Sequence, residues 1–268
     1  MLIFSRKIIN GNIMLNTGRI LIALLILMPA INSSGAMDPA EARARQVLEK
    51  IDDLWRADSS RSMVSMKVVT AHYSRNVRME NWTLGKEKSL VRIISPRKEK
   101  GTTTLKSGNA IYTYLPKTDR TIRLTSSMMM GSWMGSHFTN DDLVKESRLS
   151  DDYTPRITFE GKRDGRRIIE FALEPKPEAP VVWGRIIITV LADGYLPLES
   201  LYYDEDMYLA RTAIFSDIKT MGGRKVPAVM RILPADEPGE FTELVYEDIS
   251  FGVKLGESFF SLQQLRRR

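Results

Sequence analysis

Apolar positions recur first at helical and then at strand spacing. In PAEARARQVLEKIDDLW, residues 39–55, Val47, Leu48, Ile51, Leu54 and Trp55 fall on one side of a helical period, with charged residues on the other. One amphipathic helix is expected there. The period then drops to two. Over residues 61–69, Val64, Met66 and Val68 share one face, while Ser65 and Lys67 take the other. Similar short runs follow at 76–84, 88–95, 101–106, 110–116 and 120–125, divided by turn-forming groups such as Gly85-Lys86-Glu87, Ser107-Gly108-Asn109 and Lys117-Thr118-Asp119. The pattern resumes at 154–160, 166–174, 182–190, 196–203, 208–219, 224–233 and 241–251, and residues 258–265 read as a last helical turn or two. The expectation is one large, strongly curved antiparallel sheet of roughly eleven or more strands. So many strands must curl, split or close, and helices without a core of their own would lie on the concave face.

One stretch breaks the alternation. Residues 128–147 read MMMGSWMGSHFTNDDLVKES, with four of the chain's 14 methionines inside seven residues and Gly131 and Gly135 between them. Asn140 or Thr139 supplies an N-cap, and Asp141-Asp142 suit the positive end of a short helix through Lys145-Glu146. Methionine is unbranched and polarizable, so it repacks around partners of varied shape, and glycine frees the backbone. The segment therefore reads as a lid over an oily cavity, with Met130, Trp133, Met134 and Phe138 as the lid residues. Val64, Met66, Val68, Trp82, Ile94 and Leu105 are the candidate cavity wall. These assignments follow strand parity, which a single bulge reverses.

The N-terminus has a separate logic. Arg6, Lys7 and Arg19 precede the apolar run 20–31, and Ser34-Gly35-Ala36 offers small residues for cleavage. A 12-residue run falls short of the roughly 20 that span a bilayer, so residues 1–36 are expected to be a secretory signal peptide, with residues 37–268 forming a single domain in the periplasm. Met14 is an alternative start. Cysteine is absent, so neither a disulfide nor a lipid anchor is expected. Cleavage would leave 36 Lys+Arg against 33 Asp+Glu, lowering the net charge from +6 to +3. That balance argues against nucleic acid as a partner.

Catalytic chemistry finds little support. There is no G-x-S-x-G elbow, and two isolated histidines, His72 and His137, match no zinc spacing. Asp204-Glu205-Asp206 is an acidic turn, and Gly222-Gly223 makes a hairpin. No catalytic residue, metal or cofactor is expected.

Residues 90–106 (LVRIISPRKEKGTTTLK), 112–124 (YTYLPKTDRTIRL), 131–147 (GSWMGSHFTNDDLVKES) and Phe259-Phe260-Ser261-Leu262 resemble the LolA-like family of outer-membrane lipoprotein-sorting proteins. The resemblance spans nearly all of the chain after the leader. It implies a mainly β fold with helices, an incomplete antiparallel β-barrel of about eleven strands wrapped round them, whose hollow receives acyl chains of lipoproteins or other lipids. It also implies a lid controlled by an arginine, for which Arg92 is the counterpart. The partners it implies are an inner-membrane exporter, an outer-membrane acceptor, or both, met through transient membrane contact. The expected function is a non-enzymatic periplasmic carrier. The alternative is an accessory module of a membrane exporter with no lipid cargo of its own.

Overall fold

Period-two alternation builds a single 13-stranded antiparallel sheet, two strands more than the resemblance implies. The computed structural model describes residues 39–145, 149–179 and 181–267. The expected leader and Glu146 lie outside them. Helix α1 (Pro39–Asp52) is followed by β1 (Ser59–Val69), β2 (Ser74–Leu84), β3 (Lys88–Ser95), β4 (Thr103–Ser107), β5 (Ala110–Leu115) and β6 (Arg120–Arg123). A crossover of short turns then carries α2 (Asp142–Lys145) and α3 (Leu149–Asp152). The second meander comprises β7 (Tyr153–Arg163), β8 (Arg166–Pro175), β9 (Arg185–Leu191), β10 (Pro197–Tyr203), β11 (Leu209–Met221), β12 (Arg224–Pro234) and β13 (Phe241–Phe251), and α4 (Leu262–Leu265) closes the described chain.

The spatial order β6-β5-β4-β3-β2-β1-β13-β12-β11-β10-β9-β8-β7 puts two meanders side by side, joined where β1 pairs with β13. The edge strands β6 and β7 are not paired with each other, so the sheet stays open. They are also consecutive in sequence, and the crossover between them must travel from one edge of the sheet to the other. Trp133 and Phe138, midway along it, pack against Val64, Met66 and Val68 of β1 and Met230 of β12. The crossover therefore runs over the inner face.

That face is curved. Asn81 and Thr83 of β2 line the same cavity as Ile186 and Ile188 of β9. Six strand-to-strand steps separate β2 from β9, about 29 Å on a flat sheet at about 4.8 Å per step, so only a curled sheet brings them together. Helix α1 fills one end of the trough. Its apolar stripe, Ala44, Val47, Leu48 and Ile51, packs on Phe171, Leu173, Ile186 and Ile188. A second layer covers the opposite face of β2–β5, where Phe260 and Leu265 of the C-terminal segment pack on Trp82, Leu90, Leu105 and Tyr114.

Candidate functional site

Beneath the crossover lies a cavity of about 130 Å³. Its roof is the end of α1 with the segment after it (Ile51, Asp52, Trp55, Arg56) and the crossover (Phe138, Asp141, Asp142, Leu149). Its floor is the inner face of the sheet, including Phe215, Met230 and Tyr246. Trp55 stacks on Phe215 and Tyr246 at 5.8 and 6.0 Å between centroids, and its indole N–H donates to the Pro227 carbonyl at 3.1 Å. The aromatic ring is thereby fixed with its one polar atom satisfied.

The roof is fastened by charge. Thr139 and Asp142 form a reciprocal cap: Asp142 N–H donates to Thr139 Oγ1 at 3.1 Å and Thr139 N–H to Asp142 Oδ2 at 2.7 Å. The same carboxylate receives both terminal nitrogens of Arg211 at 2.7 Å each, and a third Arg211 contact reaches the His137 carbonyl at 3.3 Å. Arg211 and Asp142 are both buried. The guanidinium also lies over Trp183 and Tyr202, 4.5 and 4.4 Å from their ring centroids. Register explains its position: Arg211, Ala213 and Phe215 alternate on one face of β11, opposite Pro234, Ile232 and Met230 of β12. An arginine therefore occupies an inward position in an otherwise apolar row.

The far wall is polar. Asp52, at the end of α1, accepts from Ser150 N–H at 3.2 Å and Ser150 Oγ at 3.0 Å, while its Oδ1 and Asn81 Oδ1 have no hydrogen-bond partner among the described residues. Burial pushes the Asp52 carboxyl up to about 7, against the opposing pull of the Ser150 bonds and Lys86. Thr83 and Ser200 line the same cavity. The hollow is thus amphiphilic, with aromatic and aliphatic walls and hydrogen-bonding groups at one side.

The structure divides the residues expected from sequence. Val64, Met66, Val68, Trp133 and Phe138 join one inner cluster, with Met134 packed against it. The crossover is more tightly bound than a free flap: Trp133 N–H donates to the Phe138 carbonyl at 2.7 Å, and the Trp133 indole to Thr104 Oγ1 at 3.3 Å. Met130 departs from its expected place and is 56% exposed. Trp82 and Leu105 also depart. They face the opposite side of the sheet under the C-terminal segment, and apolar residues on both faces there erase the alternation that parity relies on. Ile94 departs as well, by parity: Val91 and Ile93 pack in or against the inner cluster, so Ile94 falls in phase with Arg92, and the bulge comes only after Ile93, where Met79 pairs with Ile93 and Arg78 with Ser95. Arg92 shares the face of Trp82. It lies over that ring at 5.5 Å and donates to the Gln264 carbonyl at 2.9 Å, so it fastens α4 rather than the lid. The arginine that pairs with the crossover carboxylate Asp142 is Arg211.

A second group of polar residues sits beside the roof. His137 donates its backbone N–H to Thr242 Oγ1 at 3.0 Å and meets the same oxygen with Nδ1 at 2.8 Å. Its Nε2 lies 3.3 Å from Glu240 Oε2 and 3.7 Å from Glu237 Oε2. A hydroxyl, an imidazole and a carboxylate in line would suit nucleophilic catalysis, but Thr242 is fully buried on the inner face of β13, out of reach of a substrate. About a hundred residues separate His137 from both glutamates, so sequence spacing gives no sign of the group.

A family model described as an uncharacterized protein matches residues 85–267. No curated protein matches the chain. Among solved structures it is similar to a DUF1329 family protein from Desulfovibrio piger at 22% identity and a TM-score of 0.76, covering 85% of this chain and 99% of that one. It is also similar to a structure described as an outer membrane lipoprotein-sorting protein domain from Vibrio parahaemolyticus (21% identity, TM-score 0.71, covering 85% and 100%). A LolA superfamily protein from Nitrosomonas europaea matches at 21% identity and a TM-score of 0.70, covering 82% of this chain and 98% of that one.

Proposed function

The chain belongs to the family of uncharacterized proteins whose model it matches over residues 85–267, and from that family and its fold likeness to a LolA superfamily protein we propose that it is a periplasmic carrier that shields acyl chains of lipoproteins or other lipids during transfer toward the outer membrane. Residues 1–36 would direct export and be removed. The observation that carries the reading is the roof, which closes an oily, aromatic-lined hollow through one buried ion pair, Arg211 with Asp142.

The size of the hollow sets the mechanism. A cavity of about 150 Å³ admits benzene, so the 130 Å³ present here would admit only part of a long chain. The rest of the volume must come from displacing Phe138, Trp133 and the end of α1. Each methylene withdrawn from water contributes about 0.8 kcal/mol, on the order of 10 kcal/mol for a long acyl chain. Refilling the trough with Trp133 and Phe138 on release offsets part of that, so cargo can be surrendered. Val64, Met66 and Val68 would form the wall that the chain meets, and the polar side at Asp52 and Asn81 would face its head. A fluorescent fatty acid tests the reading. Saturable binding, weakened by a bulky polar residue at Met230, is expected; no binding at any concentration below its micelle threshold refutes it.

The narrowness of the hollow favours a second reading, an accessory module of a membrane exporter whose interior is simply core. Photocrosslinking from exposed Met130 in cells separates the two. Contact with protein alone supports the module, and contact with lipid as well supports the carrier.

A further inference from the structure

We propose that His137, Glu237 and Glu240 form a binding site for a divalent transition-metal ion of the zinc class, which pins the roof segment to the β12–β13 turn. The argument begins with the turn. Glu240 N–H donates to the Glu237 carbonyl at 3.1 Å across Pro238 and Gly239, and Gly239 has φ +89°. Proline followed by a left-handed glycine is the signature of a type II turn, whose first and fourth residues end side by side. The two carboxylates are thereby set on one flank of the turn, facing the crossover.

There they meet His137. One ligand atom from each of the three residues lies within 4.8 Å of the others. A tetrahedral ion with ligand bonds of about 2.1 Å spaces its ligands about 3.4 Å apart. The Nε2–carboxylate distances of 3.3 and 3.7 Å lie near that spacing, and the third edge, between the carboxylates, is within 4.8 Å. The surroundings are those of a built site. Thr242 Oγ1 holds His137 Nδ1 at 2.8 Å, fixing the ring so that Nε2 points at the carboxylates. Ala71 N–H donates to Glu240 Oε1 at 2.7 Å, which holds that carboxyl below the usual range and leaves Oε2 turned toward Nε2. Two carboxylate oxygens and a ring nitrogen converge, and all three atoms are electron-rich in the Nδ1–H tautomer. A cation at their centre would accept a lone pair from each. A surface hollow lined by Thr70, Ala71 and the 237–240 turn gives the ion a way in and room for a water as fourth ligand.

Such an ion would tie the crossover to the β12–β13 turn by a further link, beside the His137–Thr242 bonds. Its effect on the roof rests on the carrier reading, whereas the binding itself does not. The test uses untagged full-length protein without lipid. Cobalt(II) is titrated as an optical stand-in, zinc(II) is added to displace it, and hydrogen exchange of residues 131–143 is followed with and without zinc(II). Wild type is expected to take up one cobalt(II) with tetrahedral visible absorption. His72→Ala, which removes the only other histidine, should behave identically, while His137→Ala and the near-isosteric Glu240→Gln should each weaken binding at least tenfold. Zinc(II) should slow exchange in 131–143 only where it binds. No saturable binding, binding undiminished in His137→Ala and Glu240→Gln, or exchange unchanged by bound zinc(II) would each overturn the proposal. A protein that binds the ion but takes up no fluorescent fatty acid would refute the carrier reading alone.

Discussion

Single residues carry the charges that hold the roof. Removing one partner of a buried ion pair leaves the other uncompensated, at a cost of about 3 kcal/mol or more. Asp142→Asn should therefore lower the urea midpoint by that equivalent, and exchange in residues 131–143 should rise more than in the sheet. Equal loosening everywhere would mean that Arg211 stabilises the whole fold and not the roof. Asp52 makes a different prediction. Its carboxyl titrates at about 7 in the fold against 3.8 for the ordinary group, so the folded chain binds the proton more tightly. Its contribution is fully present below pH 4 and is lost as pH rises through 7. Asp52→Asn should flatten stability between pH 4 and 8 and leave the variant more stable than wild type at pH 8, as read by thermal melting across that range. Arg211 was within reach of sequence reasoning. An arginine in phase with Ala213 and Phe215 breaks an apolar row, and such a residue needs a buried partner. Asp142 as that partner was not legible, because the two are 69 positions apart in the chain.

At the level of elements, alternation located all thirteen strands, since a half-buried antiparallel strand writes its faces into the sequence. It misplaced side chains where that premise lapses. Strand β4 is buried on both faces, and in β3 the adjacent Ile93 and Ile94 leave the inward position unmarked by polarity. The C-terminal segment is the cause of the first failure, because it covers the outer face of β2–β5 and gives Trp82 and Leu105 a core of their own. That layer is separate from the roof, and substitution should expose the separation. Trp82→Ala should cost about 3 kcal/mol of stability as a large-to-small core change. Arg92→Ala should cost about 1.5 kcal/mol through the lost charge-assisted bond to Gln264. Neither should alter affinity for a fluorescent fatty acid once the protein is folded. A change in affinity that tracks these substitutions would place the binding site on the outer face.

The whole molecule is an open sheet that curls because thirteen twisted strands cannot lie flat, with α1 and the crossover laid along its trough. Chain order makes a long crossover unavoidable: the strand leaving the first meander and the strand entering the second sit at opposite edges, and the link crosses the inner face. The methionine–glycine stretch is the middle of that link. Its Trp133 and Phe138 are anchored below while Met128 and Met130 remain exposed above. The account's central claim is that this roof lifts and oily molecules take the place of Trp133 and Phe138. Native mass spectrometry of the protein purified from its native cells without detergent tests it most directly. The account expects a population heavier by the mass of a bound lipid, reduced when Phe138 is replaced by a charged residue. A single lipid-free species, unchanged after incubation with lipid vesicles, would contradict it.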